Sequence, residues 1–261
     1  MSENSYETGR LNLPFVGICT FAKSPLCLDW DKIDADVAVM GAPFDCGTQW
    51  RAGARFGPRS IRDASTLFSF GHGGAYDFED DVVYLPSNEV RIVDIGDADM
   101  VHTNTEKSHA NIEYGVRKIL AAGALPVVMG GDHSINIPCI NAFEGQEPFH
   151  IVHIDAHLDF VDERHGVRHG HGNPLRRAAE KSVVSGYRRV RGSIGQPLIA
   201  LVVPGSSCPR LMNAKRRRSR PARHLLIPCS TAPHIHQRFY RMAVRTSMSL
   251  RATRPLPCPG N

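Results

Sequence analysis

From Lys181 to Asn261 the chain carries 16 Lys or Arg and not one Asp or Glu, so a fold that pairs its charges must be built largely from the residues before it. All 26 acidic residues and the other 15 basic ones lie in residues 1–180, a balance of −11 hidden beneath a whole-chain charge of +5. The chain therefore divides into residues 1–180, an α/β domain, and residues 181–261, a basic segment of different composition. Its 261 residues are enough for one large α/β domain with a buried core.

Met1 to Arg10 is polar and of mixed charge, without the apolar stretch that a secretory signal needs. The apolar run from Pro197 to Pro204 is far shorter than the roughly 20 residues that cross a bilayer, so no membrane partner is expected. Seven cysteines without a C-x-x-C pair fit reduced thiols, and a soluble cytoplasmic protein is the expectation.

Four short Val- and Ile-rich runs read as buried strands: Val37 to Gly41, Val90 to Ile95, Leu125 to Met129 and His150 to Ile154. Between the second and third lies a helical signal from about Thr105 to Ala122. There Ile112, Val116, Ile119 and Leu120 form one stripe, and Gly123 supplies the stop. Gly57-Pro58 opens a second helix, with Ile61, Ala64 and Leu67 predicted to face inward. Strands alternating with helices imply a mainly parallel sheet covered on both faces, with chemistry gathered at the carboxyl edge of its strands.

The segment His153-Ile-Asp-Ala-His-Leu-Asp159 leaves the fourth strand with Asp155, His157 and Asp159 two residues apart. Side chains alternate along an extended chain, so these three can start on one side of it. Carboxylates and imidazoles without thiolate suit manganese, iron or a non-structural zinc. Taken alone, the pattern also fits a polar strand end where Asp caps a turn. Gly130-Gly-Asp-His-Ser134 follows the third strand and offers His133 at the equivalent edge, although in isolation it reads equally as a capped turn into a helix. The loop Asp162 to Asn173 holds His165, His169 and His171, any of which can serve as a proton-transfer group near neutral pH or simply be solvated. Gly41-Ala-Pro-Phe-Asp45 and the Arg- and Gly-rich stretch from Arg51 to Pro58 read as structural, since no phosphate-loop Lys-Ser/Thr accompanies them.

In order and spacing, Gly-Ala-Pro-Phe-Asp at 41–45, Arg-x-Gly-x-Arg-x-Gly-Pro-x-x-Ile-Arg at 51–62, Gly-Gly-Asp-His-Ser at 130–134 and Asp-Ala-His-x-Asp at 155–159 resemble the ureohydrolase (arginase/agmatinase) family, its agmatinase-like branch above all. The resemblance spans roughly residues 10–180. It implies a three-layer α/β/α fold around a mainly parallel sheet, a homo-oligomer, and two Mn2+ ions at the sheet edge. His133, Asp155 and Asp159 would bind one ion, with Asp155 bridging to a second held by His157. Water activated between the ions attacks the carbon of a guanidino substrate, agmatine first among the choices, to release an amine and urea. His171 falls where the family has a histidine beside the substrate, with His169 as the rival for substrate contact or proton transfer. A metal-dependent deacetylase of similar architecture also uses Asp-x-His, but it lacks the Gly-Gly-Asp-His-Ser element at this spacing.

The family completes its metal pair with a later Asp-x-Asp motif and holds the guanidinium with a Glu, and no acidic residue follows Glu180 to supply either. Weak or absent ureohydrolase activity is the expectation for this chain. Lys215-Arg-Arg-Arg-Ser-Arg220 is the kind of run that binds phosphate backbones, so a metal-binding remnant with a nucleic-acid-binding segment is the alternative. Few aromatics and no zinc spacing support it, and a nucleic-acid partner is not expected. A change of reading frame near codon 180 accounts in one step for the missing acids and the Arg-, Pro- and Ser-rich composition.

Overall fold

Strand β1, Val37–Ala42, is buried at all six positions, as a strand covered on both faces must be. It is the centre of a three-stranded parallel sheet in the computed structural model, which describes residues 14–69, 74–191 and 199–204. The elements that follow in chain order are α1 (Gly57–Ser65), β2 (Ala75–Asp77), β3 (Val82–Tyr84), β4 (Ile92–Asp97), α2 (Thr105–Ala121) and β5 (Leu125–Gly130). After them come α3 (Asn136–Asn141), β6 (Phe149–Asp155), α4 (Pro174–Ala178), β7 (Val184–Arg191) and β8 (Ile199–Pro204). The basic run 215–220 and the first ten residues lie outside the described residues.

β1 pairs in parallel with β4 on one side and β5 on the other. A second sheet has the order β7-β6-β8, with β7 parallel and β8 antiparallel to β6, while β2 and β3 form a separate hairpin. The four strands expected from the Val- and Ile-rich runs are all present. β4 begins two residues downstream of its predicted start, because the chain before it is held by Asp36, whose Oδ2 accepts from Arg91 N at 2.8 Å and whose backbone N donates to the Arg91 carbonyl at 2.9 Å. Two strands beyond Glu180, β7 and β8, carry no alternating apolar signature and were not expected.

Helix α2 forms for local reasons that the sequence carries openly. Asn104 caps its start by accepting from Lys107 N at 2.8 Å, and Gly123 ends it at φ +72°. Ile112, Val116 and Ile119 are each at most 1% exposed and pack with Met40, Ile95 and Ile135 into the main core. Gly115 lets the helix approach the sheet closely, since a Cβ there would run into the Met40 sulfur.

Helix α1 corrects the prediction. Ile61 is 42% exposed, Leu67 50% exposed and Ala64 also exposed, while the buried positions of α1 are Pro58, Arg62 and Ser65. Arg62 turns inward because two carboxylates wait for it: Nε and Nη2 reach Asp94 at 2.7 and 3.0 Å, and Nη1 reaches Asp97 at 2.5 Å. A guanidinium with four bonds, including one from Nη2 to the Gly96 carbonyl, wins the inner face over an isoleucine. Among the described residues no helix is long and apolar enough to cross a membrane.

Candidate metal centre

Alternation along β6 puts Phe149, Ile151, His153 and Asp155 on its buried face. The two apolar residues enter a small core with Ile140, Leu175, Ala178 and Val183, so the imidazole and carboxylate at the far end of the strand are carried on a packed platform. The chain then turns, and Asp159, at φ +46°, brings its carboxylate back toward the same place.

His133 arrives from the other sheet. After β5, Gly131 adopts φ +88°, and a Cβ there would run into the carbonyl oxygen of Ala42, which excludes other residues. Asp132 N then donates to the Phe44 carbonyl at 2.7 Å. The buried Asp132 carboxylate accepts from Gly47 N at 2.7 Å and from Ser134 N at 2.8 Å, capping the turn that presents His133. Asp132 is therefore a clamp on the loop and stands outside the ligand cluster.

Four ligand atoms, one each from His133, His153, Asp155 and Asp159, lie within 4.8 Å of one another. His133 Nδ1 is 2.7 Å from Asp159 Oδ2 and 3.8 Å from Asp155 Oδ2, and His153 Nε2 is 3.2 Å from Asp155 Oδ2. The two rings stack at 5.2 Å, and on the far side His153 Nδ1 is 2.8 Å from the Tyr187 hydroxyl of β7. Burial alone would raise the Asp159 carboxyl, but the hydrogen bond and charge of His133 outweigh it and leave the group below its ordinary value. Burial and the neighbouring His133 hold His153 below the usual histidine range, which favours the neutral imidazole a metal requires. Four N/O ligands about 2.0–2.2 Å from an ion stand about 3.3–3.6 Å apart, so this donor set fits one divalent cation of the manganese, iron or zinc kind.

Three of the predicted ligands, His133, Asp155 and Asp159, are thus brought together, and His157 is not. Its backbone N donates to Asp155 Oδ1 at 2.8 Å, its Nδ1 is 3.8 Å from that same oxygen, and its side chain is 83% exposed. His153 joins instead. Two-residue parity also puts His153 on the side of Asp155, but a histidine inside the strand reads as core, and the turn after Asp155 is what parts His157 from it. A second ion beside Asp155 Oδ1 would find His157 and little else among the described residues.

Of the loop histidines, His165 and His169 are exposed and His171 is half-buried. The loop is closed by Asn173, whose Nδ2 donates to the Val161 carbonyl at 2.7 Å while its Oδ1 accepts from Gly170 N at 2.9 Å. Gly47 sits between the Asp132 carboxylate and the His171 backbone, which places His171 beside the loop that carries His133. A cleft of about 310 Å³ opens at the carboxyl ends of β1 and β4, and its two carboxylates are already committed, Asp45 to Arg55 and Asp97 to Arg62.

His109 backs the site, 3.3 Å from Ser134 Oγ and edge-on to Phe44. Burial, with the charge of His169, pushes its pKa down from 6.5 to about 4. As pH falls, the unfolded chain takes up a proton at this residue before the folded one does. The resulting loss of stability begins near pH 6.5, grows toward pH 4 and levels off below it. A shift of that size is worth on the order of 3 kcal/mol. His109→Gln should flatten the acid limb of stability across this window, read as urea midpoints against pH; an unchanged slope would show that His109 contributes nothing to it.

The sequence model described as the arginase family matches residues 35–194 of this chain. The chain is 37% identical over 188 residues to a guanidinopropionase of Pseudomonas aeruginosa, covering 70% of this chain and 56% of that one. It is 34% identical over 180 residues to a mitochondrial agmatinase of Gallus gallus, covering 67% and 49%. The structure of proclavaminate amidinohydrolase from Streptomyces clavuligerus superposes with a TM-score of 0.58 at 29% identity, over 70% of this chain and 60% of that one. The chain spans about half the length of the curated relatives it matches. With the fold, the Gly-Gly-Asp-His-Ser and Asp-Ala-His-x-Asp elements and the family match in agreement, this chain belongs to the arginase family.

Proposed function

We propose that this chain carries the metal-binding body of a manganese-dependent ureohydrolase, which hydrolyses a small guanidino compound to an amine and urea. The observation that carries the reading is the convergence of His133, Asp155 and Asp159 from the ends of two separate strands on one buried point. His133, Asp155 and Asp159 would hold one ion, and His157 with Asp155 would be left to serve a second. Bound divalent cations supply water activation near neutral pH.

The chain's own residues do the rest. Buried carboxylates give the site negative charge that draws in a guanidinium. In the hydrolysis, water adds at the guanidinium carbon, the bond between that carbon and the alkyl-bearing nitrogen breaks, and the departing amine takes a proton while the carbon leaves as urea. In this reading His171, half-buried beside the Asp132 loop, contacts the substrate or passes that proton, with His169 as the alternative. Agmatine is the first substrate to try, followed by guanidinopropionate and guanidinobutyrate, in a cytoplasmic homo-oligomer. In this reading residues 1–180 form the body and 181–261 a basic segment that contributes no carboxylate.

Because that segment lacks acidic residues, turnover by this chain is expected to be weak or absent while metal binding persists. Mn2+ titration of chelator-stripped protein should give saturable binding that His133→Ala abolishes, and urea release from agmatine should stay near background. Robust turnover would show that the Asp-x-Asp carboxylates are dispensable. Absence of any metal binding would favour the other reading, a remnant whose basic run 215–220 binds nucleic acid.

A further inference from the structure

We propose that the cleft at the carboxyl ends of β1 and β4 is a binding site for a small zwitterion with an apolar side chain, of the α-amino acid class. None of the residues that line it belongs to the cluster around His133, Asp155 and Asp159, so the inference stands apart from the metal-centre reading.

Size comes first. A volume of about 310 Å³ lies at the small end of ligand pockets and suits one amino acid better than a nucleotide. Part of the lining is apolar, from Phe44, Phe56, Met100 and Val101. The charged part consists of two guanidiniums, Arg55 and Arg59, and two carboxylates, Asp45 and Asp97. Their formal charges cancel, so an ion of a single sign gains no net attraction from the cleft, while a ligand carrying both signs can be matched at each end.

One group of each sign is left to do the matching. The buried Asp45 is satisfied at both oxygens, Oδ1 by Arg55 Nε at 2.6 Å and Oδ2 by Gly53 N at 2.8 Å. Arg59, in the first turn of α1, is exposed and has no hydrogen bond or ion pair among the described residues. Asp97 spends only one oxygen on Arg62, whose Nη1 donates to Oδ1 at 2.5 Å, and its side chain is 42% exposed. Its Oδ2 has no donor among the described residues. Gly41 is the condition for this arrangement: a Cβ there would collide with Asp97 Oδ1, so glycine lets the carboxylate fold over β1 to reach Arg62 and keep its second oxygen free. A guanidinium binds a carboxylate through paired N–H donors, and a carboxylate oxygen accepts from an ammonium. An apolar amino acid supplies both charges together with a side chain for the aromatic lining.

Cys46 lines the cleft and is exposed, so the rate of its alkylation reports occupancy; Cys19, exposed and outside the cleft, is the internal control. In the full chain, stripped of metal by a chelator, L-phenylalanine should slow alkylation of Cys46 saturably and leave Cys19 unaffected, read by peptide mass spectrometry. Phenylpropionate, which lacks the ammonium, and phenethylamine, which lacks the carboxylate, should each bind about tenfold more weakly or worse, the worth of one charge-assisted hydrogen bond. Arg59→Ala should weaken phenylalanine by about tenfold or more and leave phenethylamine within about twofold, a contrast that a general loss of structure would not produce. Absence of protection at Cys46 would overturn the inference. So would equal protection by phenylalanine and either single-charge analogue, or an Arg59→Ala chain that binds phenylalanine as before. Protection that appears only after Mn2+ is restored would place the ligand at the metal centre and overturn it as well, leaving that reading intact.

Discussion

Replacing Arg62 with methionine should destabilise the described domain by about 3–5 kcal/mol, the range for removing one partner of a buried ion pair. Asp94 is fully buried, and apart from Arg62 its donors among the described residues are Phe21 N at 2.8 Å and Gly96 N at 2.9 Å. Methionine fills much of the arginine volume but leaves the carboxylate without its countercharge. The loss falls on a total that for most domains is only about 5–15 kcal/mol, so a large drop in urea midpoint follows. The pair Arg62→Met with Asp94→Asn should recover part of it, because an amide costs less to bury than an unpaired carboxylate. Chemical unfolding followed by circular dichroism measures both, and a loss below about 1 kcal/mol for the single change would show that the pair adds little. Asp97 shares the arginine but is 42% exposed at its side chain, so water takes over part of its solvation and it is the lesser partner.

Arg62 also marks where periodicity misleads. A pattern of apolar residues places Ile61 and Leu67 inward, and nothing in that pattern registers that Asp94, on a strand 32 residues away, needs a partner. Long-range charge pairing of this kind is invisible to local reading. Helix α2 is the opposite case. Its stripe, its Asn104 cap and its Gly123 stop are all local, so its span was legible to within one residue. The site divides in the same way. Strand parity pointed to Asp155 and Asp159, and the glycine pair before Asp132 pointed to His133. The fate of His157 depended on a hydrogen bond from its own backbone to Asp155, which spins the chain out of the strand and sends the ring to solvent. His153 was hidden for the reverse reason: sitting inside the strand, it reads as one more core residue until Tyr187 and His133 are seen on either side of it.

Translating the coding DNA in its other two frames downstream of codon 180 should uncover, in one of them, an Asp-x-Asp motif on an apolar strand. The family match runs to residue 194 and β7 keeps parallel register through Arg191, so the junction is best sought just past that point. The structure offers a place for what is missing. Among the described residues β5 pairs only with β1, and most of its side chains are half-buried, as at a sheet edge that awaits a neighbour. A strand laid there in parallel would end at the same carboxyl edge as His133. Two well-held cations supply several kcal/mol of transition-state charge stabilisation, so a chain joined in the restored frame should gain roughly 10²- to 10⁴-fold in urea release over this one. The gain should disappear again on Asp155→Asn, since that carboxylate serves both positions. If neither frame encodes such a strand, the basic segment is native to the gene, and salt-dependent binding of the full chain to DNA becomes the measurement to make.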